Sequence, residues 1–327
     1  MASLREIKDR IGSVRSTLKI TSAMKLVASA KLRKAQKAIE ALRPYEQTLA
    51  DILAAVGPVQ AAPALPDGEG SAAAGSVRTE PVPASAGSED GRRDAGMPGR
   101  KGPTAIVAIA SNSSLCGGFN ANIIRKALEA IRGCEGEVEV YPIGRKMAEA
   151  MRRAGYTADR DYNDLIGHPA YDKSAALARS LAERYEAGEL SRVVLVYNRF
   201  VSASTQVPTV ETYLPFEIPD QVGDDSSPVG DGGGHSRPDR ESPDRDFILE
   251  PDAAALVAQL LPQVMILKFH AAILDSAAAE QAARTIAMQT ATDNAEDLLG
   301  ELTLEYNKGR QQKITAEILD LLGGAAQ

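Results

Sequence analysis

The chain's two ends are long stretches with few helix breakers, and this constrains the fold more than any single motif. Within residues 2–57 the only proline is Pro44, and within 251–322 only Pro251 and Pro262 occur. A helix advances about 1.5 Å per residue, so the two stretches would make rods of roughly 80 and 100 Å. Neither reads as an apolar run long enough for a membrane span, so each is expected to bury a stripe against a helix, the nearest being the other.

The stripes are visible. Leu4, Ile7, Ile11, Val14 and Leu18 recur at spacings of 3 and 4, the a/d pattern of a left-handed supercoil. Beyond Leu18 the stripe is read as shifting to Ile20, Met24 and Val27, then turning Ala-rich at Ala28, Ala30, Ala35 and Ala38. Pro44 is expected to end or kink the helix, because it donates no intrahelical hydrogen bond, with Tyr45–Val56 resuming it. Ser3 and Glu6 have the spacing of a capping box, which starts the helix near residue 4. At the other end Pro251 suits a first turn, Pro262 interrupts, and Gly323-Gly324 is a stop. Ala295, Leu298, Leu302, Tyr306 and Gly309 again recur at 3 or 4, and a glycine on a packing stripe implies close backbone approach.

Between the rods the pattern changes. Thr104–Ala110, Val138–Ile143, Val193–Tyr197 and Val207–Tyr213 read as strands. Asn120–Arg132, Arg145–Ala154 and Lys173–Ala187 read as helices between them. The alternation predicts a parallel, doubly wound sheet, with Val207–Tyr213 as an antiparallel edge after a short link. The expected fold class is therefore α/β, with an antiparallel two-helix coiled coil from the terminal helices plus a central Rossmann-like domain. The expected organisation is a coiled-coil helix at 1–57, a disordered loop at 58–103, the α/β domain at 104–219, a disordered acidic loop at 220–246 and a second coiled-coil helix at 247–327.

Charge is uneven. Residues 1–45 hold eleven Lys/Arg and three acids, an excess of eight positive charges in a chain whose net charge is −7. The first helix is either a solvated basic face or one that meets an acidic partner. Cys116 and Cys134 are the only cysteines, too few for a disulfide framework, which favours a reducing setting. Met1–Arg10 is charged and mixed, so no secretory leader is expected there.

Ser111–Asn120 reads SNSSLCGGFN, a glycine-containing turn between a strand and a helix. It has neither the dinucleotide nor the P-loop spacing and no basic residue, so a tight turn accounts for it. His168, His235 and His270 are scattered, and no metal-ligand spacing or nucleophile–base pattern occurs. No cofactor, metal or catalytic residue is expected.

Several segments together carry a resemblance. ITSAMKLVASAKLRKAQ at 20–36, SLCGGFN at 114–120, AEQAARTIAMQ at 279–289, ATDN at 291–294, LTLEYNKGRQ at 302–311 and ITAE at 314–317 resemble the γ subunit of F-type ATP synthases. The similarity covers both helical ends and most of the middle. It implies a non-catalytic rotary shaft: an antiparallel coiled coil inside a ring of α and β subunits, on an α/β base that holds ε and rests on the c-ring. The shaft would couple ion-driven rotation of the c-ring to ATP synthesis. By the same resemblance, Met24 and Lys25 match the position facing the β-subunit lever, and Arg284, Arg310, Gln311 and Thr315 match polar positions that contact or support that interface. It further implies a peripheral membrane protein on the cytoplasmic face of the bacterial inner membrane, touching the membrane only through the c-ring.

There are departures. Ser113-Ser114 stands where the family usually carries an Asp/Asn-Arg-Gly lead-in, the 57–103 tract is longer than usual, and neither cysteine matches the chloroplast regulatory insert. Two other readings compete. A basic-helix nucleic-acid binder is disfavoured because Lys and Arg are not interleaved with aromatics and the apolar stripe requires a helix partner. A nucleotide-binding enzyme lacks a phosphate-loop signature and a catalytic cluster.

Overall fold

The computed structural model describes residues 3–56, 102–134, 136–156, 162–216 and 252–324. The loops expected at 58–103 and 220–246 lie outside the described residues, apart from 102 and 103. The elements in chain order are α1 (Leu4–Val56), β1 (Thr104–Ile109), α2 (Phe119–Arg132), β2 (Val138–Ile143), α3 (Arg145–Arg153), α4 (Asn163–Gly167), α5 (Tyr171–Glu186), β3 (Arg192–Phe200), β4 (Gln206–Leu214) and α6 (Ala253–Gly324). The short α4 has no counterpart in the sequence reading, because a single turn leaves no periodicity.

α1 starts as its capping box requires: the Ser3 amide donates to Glu6 Oε2 at 2.9 Å, and the Glu6 amide donates to Ser3 Oγ at 3.3 Å. At α6 the cap is Asp252, whose Oδ1 accepts from the Ala255 amide at 2.7 Å. Neither proline ends its helix. α1 runs through Pro44 and α6 through Pro262. Each proline lies exposed on the outer face, so its ring avoids the partner helix. Packing along the inner face offsets a local cost of about 3 kcal/mol.

The inner face is one unbroken heptad stripe. On α1 the buried and half-buried residues Leu4, Ile7, Ile11, Val14, Leu18, Thr21, Lys25, Ala28, Leu32, Ala35, Ile39, Leu42, Glu46, Leu49 and Leu53 alternate spacings of 3 and 4. The stripe therefore does not move to Ile20 and Val27, which are 60% and 57% exposed. Thr21 and Lys25 occupy it instead, and their polarity is what hid it in the sequence. On α6 the stripe passes through Leu299, while Leu298 is 44% exposed. Leu4 meets Gly309 and Thr21 meets Thr292, so seventeen residues forward on α1 are seventeen back on α6. The coil is antiparallel and in constant register. Leu32 and Ile39 cluster with Leu274, Ala278 and Ala282, and Leu49 and Leu53 with Val257, Val264 and Leu267. A strict 3.5-residue period over this length imposes a left-handed supercoil.

The sheet order is β2-β1-β3-β4, with β1 parallel to both neighbours and β4 antiparallel at the edge. Alternate residues of the strands point to opposite faces. Ile106, Ala108, Val194 and Val196 pack under α2 and α3 through Ile123, Ala127, Met147 and Met151. Ala105, Val107, Ile109, Val193 and Leu195 pack under α4, α5 and the lower part of α6 through Leu165, Leu181, Met265 and Phe269. The long helix is thus part of the domain's own core. Polar bonds pin it there: Tyr213 Oη donates to the Met265 carbonyl at 3.0 Å, and Ser174 Oγ lies 2.8 Å from His270 Nδ1. Burial holds the His270 imidazole pKa below its usual value.

This explains an apolar stretch that the sequence reading undervalued. One 18-residue window within Ala255–Leu319 reaches a mean hydropathy of 1.5, enough by length and composition to cross a membrane. Half of that window is buried inside the molecule, as in the core helix of a folded domain.

Candidate functional site

Burial along α6 divides the molecule into zones. From Val264 to Arg284 every residue is buried or half-buried, since the helix has α1 on one side and the sheet on the other. From Asp293 to Lys308 only the stripe facing α1 is covered. Beyond Gly309 α1 has ended, and every described residue from Arg310 to Leu319 is exposed. The result is a base, a two-helix shaft and a single-helix tip.

The six residues singled out by resemblance fall in different zones. Met24 and Lys25 are half-buried on α1, and Lys25 lies on the coil stripe. Arg310, Gln311 and Thr315 are exposed on the tip, where Thr315 Oγ1 donates to the Gln311 carbonyl at 2.9 Å. The two groups are separated along the shaft by about 30 Å, at 1.5 Å per residue from Lys25 to Leu4. Arg284 belongs to neither. It is 8% exposed and faces inward, donating from Nη1 to the Ser114 carbonyl at 2.7 Å and from Nη2 to Ser113 Oγ at 2.9 Å. Nη2 also reaches Glu280 Oε1 at 2.7 Å. Burial pushes the Glu280 carboxyl pKa up, while the hydrogen bond from Arg284 opposes the shift.

The SNSSLCGGFN segment is the other half of that contact. Asn120 organises it: Oδ1 accepts from the Ser111 amide at 3.1 Å, and Nδ2 donates to the Ser113 carbonyl at 3.3 Å. Leu115 and Gly117 take positive φ values of 67° and 58°, which turn the chain back on itself. Gly144, at φ 97°, allows the Ala110 carbonyl to approach so closely that a Cβ there would lie 2.0 Å from its oxygen. Cys116 is buried beside Phe119 and Ala279, and burial raises its thiol pKa. Both cysteines are free.

A second charged joint lies lower on the shaft. Lys268 Nζ is 2.6 Å from Glu211 Oε1, and Tyr197 Oη donates to Glu211 Oε2 at 3.1 Å. Asp275 and Glu46, on facing helices, have carboxyl pKa values raised by burial, Asp275 to about 6, with Arg43 and Arg199 opposing.

The sequence reading missed the exposed apolar residues of the shaft and tip. Ile20, Leu26 and Val27 on α1, and Leu304, Ile314, Ile318, Leu319 and Leu321 on α6, are all more than 45% exposed. Continuing the Leu4–Leu18 spacing strictly past residue 18 would have found the first three, since it places Thr21, Lys25 and Ala28 inside. Among the described residues no group of three or more His, Cys, Asp or Glu is arranged to hold a metal. A cleft of about 480 Å³ runs along β2, but its charged lining residues are Glu137 and Glu139, the wrong sign for a phosphate.

Solved structures share this arrangement of a helical shaft rooted in an α/β base. The rotor chain of the Euglena gracilis mitochondrial ATP synthase matches with a TM-score of 0.58 at 18% identity, over 95% of this chain and 98% of that one. A chain from the central stalk and c-ring of the Tetrahymena thermophila mitochondrial ATP synthase matches with a TM-score of 0.51 at 19% identity, over 83% and 99%. The family model described as ATP synthase matches residues 3–327. The chain belongs to the ATP synthase gamma chain family. It is 42% identical to the gamma chain of Phocaeicola vulgatus over 99% of both chains, and 40% identical to that of Bacteroides thetaiotaomicron over the whole of both.

Proposed function

We propose that this chain is the non-catalytic central shaft of an F-type ATP synthase, coupling ion-driven rotation of the c-ring to ATP synthesis in the ring of α and β subunits. The observation that carries the reading is the change along α6 from all-round burial to one covered stripe to a bare apolar tip. A single helix with Ile314, Ile318, Leu319 and Leu321 exposed needs a surrounding partner, and a ring of subunits supplies one.

The mechanism follows from asymmetry. A shaft without threefold symmetry touches each of three chemically identical catalytic subunits differently. Each contact biases one conformation of its subunit by the difference in contact free energy between states. Turning the shaft exchanges the biases, and with them the nucleotide affinities. The shaft forms no bond to nucleotide.

Met24, Lys25, Arg310, Gln311 and Thr315 are the candidates for direct contact with the β subunits, while Arg284 supports the interface from inside. The basic excess in residues 1–45 suits an acidic lever. The base carries ε and sits on the c-ring, so the protein is part of a membrane-associated complex. In a bacterial cell this would be the cytoplasmic face of the inner membrane.

Reconstitution tests the reading. Mixed with cognate α and β subunits, the chain is expected to enter a complex in one copy and sustain ATP turnover. A chain ending at Gly309, which lacks the tip but keeps the coil, is expected to assemble with reduced turnover. Failure of the full chain to associate with α and β would sink the proposal and bring salt-dependent nucleic-acid binding back into consideration.

A further inference from the structure

In open α/β sheets the usual ligand position is the crevice beyond the carboxyl ends of the strands, where the strand order reverses. Here that point lies between β1 and β3, since the chain goes from β1 to β2 on one side and then to β3 on the other. The turn that follows β1 and the end of β3 both meet the shaft. Phe200, at the end of β3, packs against the cluster of Leu32, Leu274, Ala278 and Ala282 and against that of Cys116, Phe119 and Ala279. A Cβ at Gly117 would lie 3.8 Å from Ala287 Cβ.

We propose that Arg284, paired with Glu280 and clamped on Ser113 and Ser114, is a positioning residue that fixes the level at which the rigid base ends and the twisting shaft begins. The proposal rests on the shaft reading and adds to it. Three acceptors from two distant parts of the chain converge on one planar guanidinium, at 2.7, 2.9 and 2.7 Å. Both side chains of the ion pair are below a tenth exposed, at 9% and 8%. A buried pair adds little net stability over apolar packing, but its fork geometry restricts the relative orientation of the groups it joins. The location matches the burial pattern: Ile286, two residues further on, is the first exposed residue of α6 after Gln263. From Val264 to Arg284 the helix is covered on all sides, and from Asp293 to Gly309 only on the stripe that faces α1.

The consequence is mechanical. Torque enters at the base and is used along the coil, so elastic energy is stored in the length free to twist. Releasing the clamp moves the boundary down the helix and lengthens that free segment. The proposal is tested in the assembled complex, with the β subunits fixed to a surface and a probe attached to the base through Asp172→Cys on α5. With the complex stalled, the angular spread of the probe measures torsional compliance. Arg284→Met is expected to broaden the spread relative to the unaltered shaft, and Ser113→Ala, which removes one acceptor and no charge, to broaden it less. The double variant Arg284→Met with Glu280→Leu removes the pair without leaving a buried charge behind. It is expected to broaden the spread as the single variant does, and it decides the matter if the single variant misfolds. An unchanged spread in an assembled variant overturns the proposal. A changed ATP turnover with an unchanged spread would instead mean that Arg284 acts on the lever. If the unaltered chain does not assemble, the shaft reading fails and not this inference.

Discussion

Asp275 shows how a single residue can oppose the stability of the joint it occupies. It is half-buried on α6, and burial raises its carboxyl pKa to about 6 from an ordinary 3.8, despite Arg43 and Arg199. An acid whose folded-state pKa is raised contributes most to stability below its unfolded pKa, and that contribution is lost as pH rises through the folded value. The native protein is therefore penalised at this site above about pH 6. Asp275→Asn removes the penalty and should stabilise the chain at pH 8 by on the order of 1–2 kcal/mol after solvent screening. The gain should fade toward pH 4, and thermal melts of both proteins across pH would show it. A loss of stability at pH 8 would mean that Asp275 is held by its arginines more strongly than it is penalised by burial. His270 has the opposite sense. Burial lowers its pKa, so its contribution to stability is full above the ordinary imidazole value and is lost as pH falls from there through the lowered folded value, where the ring takes up a proton.

Among the elements, the coil rests on two helices in one constant register, and its polar stripe positions are where that register can be tested. Thr21 and Thr292 face each other with hydroxyls 2.9 Å apart and both side chains buried. Each hydroxyl also reaches a carbonyl of its own helix, Thr21 that of Leu18 at 3.1 Å and Thr292 that of Met288 at 2.8 Å. Replacing either by valine therefore removes the bond between them without orphaning the other and should cost about 0.5–1.5 kcal/mol, with the double change costing less than the sum of the two. A double-mutant cycle on thermal stability measures the difference. Strict additivity of the two changes would show that the hydroxyls do not interact. The same positions explain what the sequence disclosed. The alternating strands, the doubly wound sheet, the capping box and the antiparallel rods were legible because each leaves a periodic or local mark. The stripe was legible to Leu18 and then lost, since apolarity alone chose Ile20 and Val27 over Thr21 and Lys25. Pro44 and Pro262 were overweighted as breakers because the compensating contacts come from another helix. The inward turn of Arg284 left no mark, as its partners Ser113 and Ser114 lie far away along the chain and are joined to it only by the fold.

Taken whole, the molecule is a lever with its fulcrum inside its own domain. The base grips α6 on two sides, the coil extends from it and the tip emerges alone. This division suits a part that must be rigid where it is driven and adaptable where it acts. A shaft of this kind must turn relative to the catalytic ring while ATP is consumed, and that rotation can be watched. The complex would be assembled from this chain with cognate α and β subunits, fixed through β, and followed by a probe on Asp172→Cys. Rotation in one direction is expected under ATP, in steps of one third of a turn set by three equivalent sites, stopping when ATP is withdrawn. Steady ATP hydrolysis with a stationary base would contradict it.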